Sequence, residues 1–221
     1  MAGNSNTLGR PRIALLHWQL DVAWSLLEVH LGDLDDSAYL WEPAPGAWTV
    51  RRRPDERWTA DRPMTDLSVH PEPVRTIGWL TWRLGSWWAE TSVRCFGTES
   101  GDRLHNDGTA DGAAEGTAEG TAGDWPGDGE STLDWLRTIR TDWSRGLSTL
   151  DDADLDSTAR AEWLQRGTRP FGYVAAWVNT EVTRYAAEIG LLASLHRAAT
   201  DPWHRPRTGR RPGPGWHRHT A

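Results

Sequence analysis

The run from Phe171 to Leu195, FGYVAAWVNTEVTRYAAEIGLLASL, constrains this chain more than any other stretch. It is long enough for about seven helical turns. Phe171, Ala175, Val178, Val182, Ala186, Ile189 and Ala193 form one apolar stripe along it. The neighbouring stripe is Val174, Val178, Glu181, Tyr185, Glu188, Leu192 and Leu195, with two carboxylates and a phenol where aliphatic residues are expected. A buried carboxylate is costly unless it is paired, hydrogen-bonded or bound to a cation. The segment is therefore expected to be a core helix and one wall of a polar site.

Three further segments share its helical period. In residues 12–31 the seam is Ile13, Leu16, Leu20, Ala23, Leu27 and Leu31, beside a polar line of His17, Asp21, Trp24 and Glu28. Residues 76–95 carry Ile77, Leu80, Leu84, Trp87 and Thr91 behind a capping Thr76, with Arg83 beside the seam. After a cap at Ser131 or Thr132, the third seam is Leu136, Ile139, Trp143, Leu147 and Leu150. With no strand alternation, the four segments predict an all-α four-helix bundle with a long first connection, the proline-rich residues 41–75. The bundle spans residues 12–197. A low-complexity acidic loop, residues 98–130, interrupts it, and residues 1–11 and a basic tail, 198–221, flank it; all three are expected to be disordered because they hold too little apolar surface to offset ordering. The tail's histidines suit no more than adventitious metal binding, and Arg51-Arg52-Arg53 reads as a solvated corner.

Charge and cysteine content narrow the classes of function. The net charge is −7, which argues against generic nucleic-acid binding. No run approaches the ~20 apolar residues of a membrane span, and none suits a signal peptide. The single cysteine, Cys95, reads as a buried thiol suited to a reducing cytoplasm. Gly-rich phosphate loops, nucleophile elbows and HExxH pairs are absent from the sequence. Tryptophans 18, 24, 79, 87, 143 and 177, at helical spacing, are expected in the core rather than on a stacking platform.

The pieces LLHWQLDVAW, WEPAPGAWTVRR, TIGWLTWRLGSWW, LDDADLD and VNTEVTRYAAEIGLLASL, in that order and spacing, resemble the DinB-like superfamily, most closely its actinobacterial branch. The resemblance covers residues 12–98 and 131–197. It implies a four-helix bundle, often a homodimer, with a divalent metal such as zinc or nickel on three ligands, usually histidines. One ligand comes from the middle of the second helix and two, four residues apart, from the last. Some relatives are metal-dependent transferases or isomerases that use mycothiol or bacillithiol. Here the three positions fall on Arg83, Glu181 and Tyr185.

Arginine stays protonated and offers no lone pair, and a neutral phenol is a poor ligand. The expectation is thus a degenerate metal site, with no resident cofactor and with Arg83 paired to Glu181. The pocket expected between the helices is lined by His17, Asp21, Arg83, Trp87, Glu181, Tyr185 and Glu188, and it takes a small molecule or is vestigial. A metal site relocated to His17, Asp21, Glu28 and either Glu181 or Glu188 is one alternative. Others are a mycothiol-type transferase or isomerase and a dimeric scaffold that uses its loop and tail as contact segments.

Overall fold

Three of the four bundle helices begin where a side chain accepts their first free N–H groups, and the last begins with Phe171 N–H donating to the Ser157 carbonyl. The computed structural model describes residues 10–61, 73–97, 124–164 and 167–200. Helix α1 runs Pro11–Gly32, and proline at its start suits a turn whose N–H has no partner. Its cap comes from far along the chain: Asp152 accepts from the N–H groups of Arg12 and Ile13, each at 3.0 Å. Asp35 caps the short α2, Asp36–Leu40. Strands β1, Val50–Arg52, and β2, Trp58–Ala60, pair antiparallel with Arg51 opposite Thr59. Thr76 caps α3, Ile77–Phe96, by accepting from Trp79 N–H at 3.2 Å, as its sequence suggests. Helix α4, Gly129–Ser148, is capped by Asp128, which accepts from Ser131 N–H at 2.7 Å. A 3-10 turn, Asp154–Asp156, precedes α5, Phe171–Thr200.

Side-chain neighbours give the topology. Helices α1 and α5 run parallel: Asn179 donates to Leu16 O at 2.9 Å, and His30 lies against Gly190 further along. Helices α3 and α5 run antiparallel, with Phe96 on Phe171, Trp87 on Trp177 and Arg75 bonded to Glu188 in succession. Helices α1 and α4 are also antiparallel, through His17 to Ser148, Asp21 to Arg140 and Glu28 to Arg137. Helices α3 and α4 are parallel. Trp135 covers Gly85, where a Cβ would fall 2.2 Å from the indole, and Phe96 covers Gly146. The bundle is thus up-down-down-up, and its square arrangement puts the α1/α4 seam opposite the α3/α5 seam. The connection from Gly97 to Asp128 links opposite ends.

The expected seams of α1, α4 and α5 are all buried, including Ile13 to Leu31, Leu136 to Leu150 and Phe171 to Ala193. On α3 the seam passes through Trp88, fully buried, and not through Trp87, which is half-buried at the edge. Three boundaries differ from the sequence reading. The 50–60 hairpin was not anticipated, because strands of three residues are too short to display alternation. Residues 124–130, assigned to the acidic loop, are ordered: Trp125 is buried, stacks edge-on at 5.0 Å from Trp58 and donates to Thr81 Oγ1 at 3.2 Å. Helix α5 continues to Thr200, and residues 10 and 11 belong to the start of α1. The remaining loop and terminal assignments, 1–9, 98–123 and 201–221, lie outside the described residues.

Asp128 also anchors α4 through the hydroxyl of Ser131 at 2.8 Å. Asp128→Ala is expected to cost about 1 kcal/mol in urea denaturation, against a few tenths or less for an exposed, uncapped position.

Candidate functional site at the α3/α5 seam

Arg83 lies mid-way along α3 and turns its half-buried guanidinium toward the polar stripe of α5. Opposite it are Tyr185, buried, and Glu181, partly buried. The ion pair expected between Arg83 and Glu181 is not formed. Glu181 is instead held by Arg184, with Nη2 at 2.6 Å and Nε at 3.1 Å, and accepts from Trp177 Nε1 at 3.3 Å. Arg184 also reaches Glu188 at 3.5 Å and stacks 4.1 Å from the Tyr185 ring centroid. Arg75 reaches Glu188 from the α3 approach at 3.2 Å and lies over the indoles of Trp48 and Trp79.

The two carboxylates of this wall are therefore committed to Arg184 and Arg75. Arg83 has no ion pair among the described residues, and its Nη1 is buried without a hydrogen-bond partner. Burial pulls the Arg83 guanidinium below its usual range, opposed by the nearby Tyr185 and Glu181. Burial likewise raises the Tyr185 phenol, with Arg83 and Arg184 opposing the shift, so the phenol stays neutral at ordinary pH. Trp79 Nε1 and Ser86 Oγ, on the same helix as Arg83, are also buried without partners.

The structure divides the residues expected to line one pocket. Arg83, Trp87, Glu181, Tyr185 and Glu188 share the α3/α5 seam, with Trp87 edge-on to Trp177 at 5.1 Å. His17 and Asp21 sit on the opposite, α1/α4 seam. His17 Nε2 is 3.3 Å from Ser148 Oγ, and burial lowers its pKa despite the nearby Asp21. Asp21 pairs with Arg140 at 2.6 Å, and Glu28 with Arg137 at 2.6 Å. The relocated metal site that would join His17 and Asp21 to Glu181 or Glu188 is not assembled. Among the described residues no three His, Cys, Asp or Glu side chains come together.

A family model for the DinB superfamily matches residues 19–189, from α1 through α5. The chain belongs to the DinB superfamily. No curated protein and no solved structure matches it. The three DinB positions that the resemblance assigns to metal ligands do come together here, but their chemistry does not fit a divalent ion. Arg83 is a fixed cation with no lone pair, burial keeps the Tyr185 phenol neutral, and Glu181 is engaged by Arg184. Two residues of this DinB site are not among those the sequence pointed to. Arg184 was legible, three residues after Glu181 and four before Glu188. Arg75 carries no such signal, because it reaches the site from outside α3.

Proposed function

We propose that this DinB-superfamily protein binds a small carboxylate at the α3/α5 seam, with the Arg83 guanidinium occupying the role that a metal ion has in metal-bearing relatives. The observation that carries this reading is Arg83 Nη1, buried and without a partner while both nearby carboxylates are engaged elsewhere. A buried, uncompensated guanidinium gains most from an anion that can take both prongs of its planar fork, which a carboxylate does. Trp87, Trp177 and the Tyr185 ring supply an apolar flank, so the body attached to that carboxylate is expected to be aromatic or aliphatic. The neutral Tyr185 hydroxyl can donate a second hydrogen bond to the ligand.

The donor set does not favour a metal- and thiol-dependent transferase, because Arg83 cannot ligate and the neutral Tyr185 phenol is a poor ligand. Within our reading the protein works in a reducing cytoplasm, in keeping with Cys95 being a buried thiol whose pKa is raised to about 12 by burial. No helix among the described residues is long and apolar enough to cross a membrane.

Benzoate is a suitable probe. It should raise the melting temperature of the wild type, by about 2.7 kcal/mol of stabilisation at a hundredfold excess over Kd. Arg83→Met should melt no lower than the wild type without ligand, since no ion pair is lost, and should not respond to benzoate. An equal benzoate response in both proteins would reject the site.

A further inference from the structure

The outer face of α4 carries a cleft of about 450 Å³, lined by the helical surface from Asp134 to Arg145. Arg137 is committed there, to Glu28 of α1 at 2.6 Å and to Asp134 at 3.0 Å. Asp142 and Arg145 are only half used. The Asp142 side chain is 5% exposed, and its Oδ1 accepts from Arg145 Nη1 at 2.5 Å. Its Oδ2 is buried without a hydrogen-bond partner. The Arg145 side chain is 56% exposed, and Asp142 is its one partner among the described residues. A buried carboxylate oxygen costs free energy until a donor reaches it.

The neighbouring helix does not supply that donor. Trp135 covers Gly85 and Phe96 covers Gly146, and the same offset between α3 and α4 sets Ser92 level with Asp142 on the facing side. Ser92 Oγ is itself buried and without a partner. Thr138 and Thr141 donate their hydroxyl protons to the backbone carbonyls of Asp134 and Arg137, at 3.0 and 2.8 Å. Both hydroxyl oxygens are thereby left as acceptors.

We infer that this cleft binds a free α-amino acid, with its ammonium on Asp142 and its carboxylate on Arg145. The acceptors gathered here, Asp142 Oδ2 and the two threonine hydroxyls, suit a ligand rich in N–H, and an ammonium is one. Arg145 asks for the opposite, since the unused part of its planar fork takes a carboxylate. The open oxygen and the open prongs belong to one bonded pair. The ligand's two charges must therefore lie close together, as on an α-amino acid and not at the ends of a long chain. Asp142 and Arg145 also offset each other, so a ligand of no net charge keeps the balance. A bare amine would add positive charge beside Arg145, and a bare carboxylate negative charge beside Asp142. A divalent metal ion fits poorly, because Arg145 repels it and no three His, Cys, Asp or Glu side chains come together among the described residues. The core face of α4, Leu136, Ile139, Trp143 and Leu147, separates this cleft from the bundle interior and from the Arg83 site.

Isothermal titration of L-alanine, ethylamine and propionate into the full chain tests the inference. The last two are alanine without its carboxylate and without its ammonium. Alanine should bind with a Kd on the order of 1 mM, and more tightly than either of them. Asp142→Asn should weaken alanine by about tenfold or more, because it removes the charge that the ammonium meets. Arg145→Gln can still donate to Asp142, so its melting temperature should stay near that of the wild type while alanine binding falls to the level of ethylamine. Arg83→Met should bind alanine as the wild type does, which separates this cleft from the α3/α5 seam. A wild type indifferent to alanine, with solvent alone serving Asp142, would overturn the inference. So would alanine binding no tighter than propionate, undiminished binding in either α4 variant, or binding that disappears in Arg83→Met.

Discussion

Trp143→Ala is expected to cost about 3–5 kcal/mol, the range for truncating a fully buried tryptophan. Trp143 is completely buried on α4, 5.2 Å from Phe96 of α3 and 6.2 Å from Phe171 of α5, ring centre to ring centre. Phe96 and Phe171 also stack on each other at 5.7 Å, so three helices meet on one aromatic cluster. Alanine would leave a void there that none of the three helices can fill without breaking another contact. The indole Nε1 has no hydrogen-bond partner, so its loss removes an unsatisfied donor and no bond. Trp143→Phe should therefore cost much less, about 1–1.5 kcal/mol. Urea denaturation distinguishes the two; a Trp143→Ala protein within 1 kcal/mol of wild type would show that this cluster does not hold the bundle end together.

The second large effect is the gain of a metal site. Arg83→His with Tyr185→His would place two imidazoles beside Glu181 and remove the fixed cation that repels a metal ion. Three N and O donors with an open fourth position are what zinc requires. Glu181 would have to exchange Arg184 for the ion, a trade its partly exposed position permits. Zinc at a hundredfold excess over Kd should stabilise the double variant by about 2.7 kcal/mol and raise its melting temperature by several degrees. The wild type should respond to zinc only as far as its other histidines do. An identical zinc response in the two proteins would mean that the three positions do not converge closely enough for ligation.

The helices were legible because burial follows a 3.6-residue period and the seams of α1, α4 and α5 repeat it without interruption. The period could not separate Trp87 from Trp88, since adjacent indoles on one helix differ by only about 100° of rotation. The cap of α1 was invisible because Asp152 comes from the far side of the sequence. Trp125 was hidden by the glycine and acid content around it, although a lone large apolar side chain at the end of a polar run is an anchor signal.

The site was half legible. Glu181, Tyr185 and Glu188 lie on one face by spacing alone, the resemblance pointed to Arg83, and the antiparallel packing of α3 on α5 brings it to them. His17 and Asp21 were misplaced because a helical wheel identifies a polar flank but not which neighbour stands beside it. Here that neighbour is α4, whose Arg140 and Ser148 occupy both residues. The competition for Glu181 was the other gap. A local pair three residues away needs no tertiary arrangement to form, and it displaces the longer-range pair with Arg83.

Isothermal titration of benzoate into the wild type, Arg83→Lys and Arg83→Met addresses the central claim most directly. Lysine keeps the charge but loses the planar fork, and methionine loses both. Binding is predicted to be tightest in the wild type, weaker in Arg83→Lys and absent in Arg83→Met. The same heats in all three proteins, or none in the wild type, would contradict the account.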